Sequence, residues 1–203
     1  MSDPEEGWPS IPDAEMDAFY QTADQFLNAA NDLLASEQPA TAGAAFLYAC
    51  ARYNGFAMQV QLDTAVIDEA TREKLCDFFE SEISEHLLQR LSNAPAPVGG
   101  QATGQALDVL IGMNGMDPDA RSAFLKLGDV FIHIANDLAE TVLIARISAA
   151  FLHACTRFNA YLLQREGLEP GVQDTQLIAD FRQVYSDLLS FHLDQSLVAQ
   201  PEP

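Results

Sequence analysis

At 203 residues, with 48% apolar and 20% charged side chains, the chain can bury a sizeable core and lacks the profile of a disordered or fibrous protein. Thirty acidic residues against ten basic ones leave a formal charge of −20, which argues against a surface built to grip nucleic acid or anionic membranes. Three cysteines, Cys50, Cys76 and Cys155, are too few and too irregularly spaced for a disulfide framework or a zinc knuckle, and they fit a reducing cytoplasm.

The N-terminal run Met1-Ser2-Asp3-Pro4-Glu5-Glu6 has neither the basic start nor the apolar core of a signal peptide. Ser10 and Pro12 ahead of Asp13 predict a helix start, and Phe19, Ala23, Phe26, Ala30 and Leu33 fall on one helical stripe, so the first helix covers 13–35. Pro39 separates it from a second helix over 41–61, with Leu47, Cys50, Ala51 and Met58 on its stripe. The uncharged run 38–51 is too short to cross a bilayer and ends at Arg52. A third helix follows over 68–91. Residues 92–104 are rich in Pro, Gly and Ala and read as a linker, with room for a short extra helix over 106–113. Gly99 to Gly104 lacks the lysine of a phosphate loop. Asp117-Pro118 caps the next helix, 118–140, and no breaker separates it from the following one, 145–166. A Pro170-Gly171 turn precedes the last, 174–198. The acidic start and Pro201-Glu202-Pro203 read as frayed ends.

The two sets of three helices repeat each other. Shifting the chain by 105 lays residues 26–59 over 131–164 without a gap and matches fifteen of thirty-four positions, where unrelated helices would match at roughly a tenth. A shift of 106 pairs His86-Leu87, Gln89 and Leu91 with His192-Leu193, Gln195 and Leu197. The expected fold is all-α: a six-helix bundle of two three-helix units, 10–92 and 117–198, joined by a linker over 93–116, sharing one core about a pseudo-twofold. Either half alone would be marginal or would dimerise, because a half buries proportionally less surface.

Asn-Asp-Leu closing one helix, Ala-Ala-Phe-Leu-x-Ala-Cys-x-Arg-[Tyr/Phe]-Asn on the next, and Phe181, Tyr185, Leu188 and His192-Leu193-Asp194 on the third resemble the bacterial domain of unknown function 3144. The second half carries the pattern best. The first half keeps the Arg-Tyr-Asn core and has Leu88 where Asp194 stands. The resemblance implies an all-helical, cytoplasmic bacterial domain and brings no assigned activity.

Polar residues that recur in both halves are the internal pointers to selected chemistry. They include Asp24/Asp129, Asn31/Asn136, Asp32/Asp137, Arg52/Arg157 and Asn54/Asn159, together with Gln59/Gln164 and His86/His192. An arginine amid an apolar stripe must find a carboxylate, so Arg52 and Arg157 are expected to be largely buried and clasped to the first-helix Asp or Asn of their own half. The competing reading is a duplicated anion pocket. A carboxylate-bridged metal site would need Glu three residues before each histidine. Ile83 and Leu189 stand there, so no metal is expected and His86 and His192 read as capping or surface residues. His133 and His153 replace Asn28 and Tyr48 and lie outside the shared pattern. Cys50 and Cys155 read as small core residues. The alanine-rich run 42–51 reads as a close-packing face within the core rather than a partner groove.

Without a nucleophile pair or cofactor signature, the sequence favours a non-enzymatic protein-interaction module with no cofactor. Its expected partner is a protein or a second copy, with no nucleic acid and no membrane; docking of a basic protein on the acidic face competes with the reading of the net charge as a solubility device. A small-molecule or anion-binding bundle using the Arg/Asn/Asp set is the alternative.

Overall fold

Proline, cap residues and glycine set most of the helix limits. The computed structural model describes residues 13–63, 67–89, 104–169 and 175–198. It contains α1 (Asp13–Leu33), α2 (Pro39–Leu62), α3 (Glu69–Leu88), α4 (Gln105–Gly112), a 3₁₀ turn (Met113–Gly115), α5 (Pro118–Leu138), α6 (Ile144–Glu166) and α7 (Thr175–Val198). The expected helix start at Ser10 and Pro12, the linker over 93–103, the Pro170-Gly171 turn and both chain ends lie outside the described residues. Asp68 caps α3 by accepting from the Thr71 N–H at 2.7 Å, and Asp117 caps α5 by accepting from Asp119 and Ala120 at 3.0 Å. Gly167, at φ 114°, ends α6 in the left-handed conformation that suits glycine. The turn between α5 and α6, which has no sequence breaker, repeats the turn between α1 and α2. Val142 N–H returns to the Leu138 carbonyl as Glu37 N–H returns to Leu33.

The fold is all-α and duplicated, with the halves interlocked rather than stacked. α1 packs chiefly on α6 and α5 on α2, whereas α1 and α2 of one half barely touch. In the same way α3 lies on α6 and α7 on α2. Each outer helix therefore covers the central helix of the other copy. The two central helices run antiparallel, since Ser148 near the start of α6 meets Asn54 while Gly43 near the start of α2 faces Asn159 and Leu162.

The core repeats this symmetry in detail. Phe26 stacks on Phe151 at 4.2 Å and its copy Phe131 stacks on Phe46 at 4.3 Å. Phe46 and Phe151, equivalent residues, meet across the pseudo-twofold at 5.7 Å, and Phe79 stacks on its counterpart Tyr185 at 4.3 Å. Residues 42–51 of α2 are buried without interruption, because α4, α5, α6 and α7 surround that helix. A helix buried on all sides needs apolar residues all round it, and small ones where neighbours come close. The alanine run thus serves the core.

α4 breaks the symmetry by covering α2 alone. At Gly43 an added Cβ would lie 2.7 Å from Leu162, 2.9 Å from the Asn159 Oδ1 and 3.3 Å from Ala106 of α4. Gly43→Val is therefore expected to cost about 1–3 kcal/mol by overpacking. Gly112→Ala, where nothing lies within 4 Å, should leave stability within about 0.5 kcal/mol of the parent. Denaturant melts of the two variants check this.

Candidate functional site

The duplicated polar residues divide into an exposed set and a buried set. Asp24, Asn31, Asp32, Asn136 and Asp137 are exposed on α1 and α5. Arg52 donates to Asp129 at 2.9 Å with both side chains nearly half exposed, at 46% and 44%. The expected buried clasp within one half is thus corrected. Asp24 rides on α1, which packs on α6, and its copy Asp129 on α5 is the residue brought to α2. An ion pair this exposed contributes about 1 kcal/mol at most. Arg157 is half-buried and makes no ion pair among the described residues.

Asn54 and Asn159 are both buried, yet their surroundings differ. Asn54 donates to the Tyr185 hydroxyl at 2.9 Å and its Oδ1 accepts from the Ser148 hydroxyl at 2.5 Å. In the other copy Gly43 stands for Ser148 and Phe79 for Tyr185. Asn159 accordingly turns its amide to the Cys155 carbonyl at 3.0 Å, and its Oδ1 has no hydrogen-bond partner among the described residues. Cys50 and Cys155 meet at the centre. Burial and the adjacent Cys155 push the Cys50 thiol well above its ordinary range, which suits packing and not nucleophilic work.

His86 and His192 are core residues, correcting the expectation of surface or capping positions. His86 lies edge-on to His153 at 4.8 Å, and His192 lies edge-on to Tyr48, the counterpart of His153, at 4.8 Å. Burial, with His153 adding to it, pushes the His86 imidazolium down to about 4, against the attraction of Glu82. Burial, with Arg52 adding to it, holds His192 at about 4 as well. Glu82 accepts from His153 Nδ1 at 2.8 Å, and this bond keeps its carboxyl below the usual range.

Recurrence between copies missed the residues that structure brings together: Ser148, Tyr185, Glu82, His153 and Arg182. Arg182 on α7 reaches Asp77 at 2.9 Å, Glu80 at 2.8 Å and also Glu73, tying α7 to α3. Its counterpart in the first half is Cys76. The available signal was the opposite of the one used, namely polar residues at positions where the other copy is apolar.

Between α4, the 3₁₀ turn and α7 lies an open groove of about 230 Å³ lined by Leu110, Ile111, Met113, Val184, Asp187 and Phe191, among others. Ile111 is 70% exposed and Phe191 39%. A second hollow beside Asp129 is lined by Arg121 and Lys126, and Arg52 is not part of it.

Asn54→Leu strands the buried Tyr185 hydroxyl and the part-buried Ser148 hydroxyl and is expected to cost about 2–4 kcal/mol, whereas Asn159→Leu removes an oxygen with no partner among the described residues and should cost clearly less. Equilibrium unfolding of the two variants checks the order. For His192 the folded value of about 4 lies below an unfolded value of about 6.5. The unfolded chain therefore takes up a proton first as pH falls, and stability drops between those two values. From pH 7.5 to 5.5 this residue should account for a loss of roughly 1 kcal/mol, a share that His192→Phe removes from the pH dependence of melting.

Among the described residues, no helix is long and apolar enough to cross a membrane. No curated protein and no solved structure matches the chain. The family described as "Protein of unknown function (DUF3144)" matches twice, over residues 19–94 and 124–197, one match on each set of three repeated helices. With more than half its length matched, the chain belongs to this family and carries two copies of its domain.

Proposed function

We propose that the protein is a non-enzymatic interaction module of the cytoplasm that docks a protein segment in the groove between α4 and α7. The observation that carries this reading is the exposure of Ile111 and Phe191 in one concave apolar site, from which a docked segment would displace water. Asp187 on the groove and the net charge of −20 favour a segment with an apolar anchor flanked by Lys or Arg. Three buried free thiols support a reducing compartment.

An anion or small-molecule site built from the Arg/Asn/Asp set draws less support. Arg52 is committed to Asp129, Asn54 to core hydroxyls, and the exposed Asn31/Asp32 and Asn136/Asp137 pairs sit at the ends of α1 and α5. The experiment is capture from native extract by the parent chain and by Ile111→Glu, with a salt gradient for elution. Basic partners should bind the parent, leave as salt shortens the Debye length from ~10 Å at 0.1 M to ~3 Å at 1 M, and be lost from Ile111→Glu without a fall in its melting temperature. Equal capture by the two proteins would overturn the groove as the docking site, and concentration-dependent sedimentation of the parent alone would replace the partner with a second copy.

A further inference from the structure

One cluster of donor atoms has no role in the docking reading and does not depend on it. Glu82 and His86 lie one turn apart on α3, and the packing of α3 on α6 sets His153 against both. The Glu82 Oε2 lies 2.8 Å from His153 Nδ1 and 3.8 Å from His86 Nε2. One donor atom from each residue falls within 4.8 Å of the other two. His86 is more than nine-tenths buried, and apart from a weak approach of the His153 backbone neither of its ring nitrogens makes a hydrogen bond of normal geometry among the described residues. A buried imidazole without a partner is a rare and costly arrangement, which implies that something else satisfies it.

We propose that Glu82, His86 and His153 bind one divalent transition-metal ion of the zinc type, tying α3 of the first half to α6 of the second. Two imidazoles and one carboxylate are a donor set that Zn²⁺ accepts, and three protein ligands leave a coordination position for solvent or a further ligand. Tetrahedral donors at bond lengths of about 2.0–2.1 Å stand roughly 3.3 Å apart, so the cluster contracts on the ion by side-chain rotation. The ion takes the place of the proton now shared by His153 and Glu82 and supplies the partner that His86 lacks. Phe19 and Tyr20 of α1 pack edge-on against His153 and help fix its ring.

The second half provides an internal control. There His192 packs on Tyr48 with the same ring geometry, while Leu188 stands where Glu82 does. One of three donors remains, so the stoichiometry is one ion per chain rather than two. The double variant Glu82→Leu/His153→Tyr installs the combination that the fold already carries beside His192.

The test titrates the untagged, chelator-stripped chain with Zn²⁺ alone, following heat and melting temperature, and with Co²⁺, following its visible absorption. The parent should bind one ion, show cobalt bands with nitrogen ligation, and melt higher with zinc than without. The double variant should bind at least about 100-fold more weakly and gain no melting temperature from zinc. Where the double variant fails to fold, Glu82→Gln, which keeps the shape and can still hydrogen-bond His153, gives the same comparison. Equal affinity in parent and Glu82→Gln, or a parent that takes up zinc only as weakly as scattered surface carboxylates do, would overturn the site.

Discussion

The antiparallel crossing of α2 and α6 is the constraint on which the rest of the molecule depends. Both helices carry long buried stretches, and their alanines, with Gly43 and Gly55, let neighbours approach on every side. A helix enclosed in this way cannot be covered by the two other helices of its own copy. It takes α5, α7 and the other central helix around α2, and α1, α3 and the other central helix around α6. The interlocking follows from burial, and so does the cross-copy pairing of Arg52 with Asp129.

Symmetry at the core coexists with different chemistry at its two poles. Near Asn54 the network closes through Ser148 and Tyr185, while near Asn159 the same positions hold Gly43 and Phe79. Gly43 lets α6 approach at a distance that a side chain would forbid, and Ala106 of α4, which has no copy among the described residues, packs closely beside it. Likewise Glu82 and His153 face His86, whereas Leu188 and Tyr48 flank His192, and Arg182 meets three carboxylates where its copy Cys76 packs in the core. The shared residues hold the scaffold. Residues found in one copy alone are the ones with further chemistry to offer, including the groove formed where α4 meets α7.

Helix type, number and register were legible because they depend on local spacing: the stripe Phe19, Phe26, Ala30, the Asp117-Pro118 cap and the offset of 105 residues are all short-range facts. Membership of the family was legible for the same reason, since its pattern lies on single helices. The candidate sites were only partly visible. Reading Arg52 as buried assumed that helices adjacent in sequence are adjacent in space, and the burial demands of α2 overrode that assumption. His86 looked peripheral because nothing within its own helix reveals that His153, 67 positions away, packs against it.

By itself, then, the amino-acid sequence determined the seven helical segments in outline, the duplication and the acidic surface, because periodicity, caps and charge act over a few residues or over the whole composition. Tertiary structure alone decided which copy covers which central helix, that Asn54 is satisfied while Asn159 is not, and that Glu82, His86 and His153 converge. Those outcomes depend on contacts between residues far apart in the chain, and they are settled by which arrangement of six long helices buries the long apolar stretches of the two central ones.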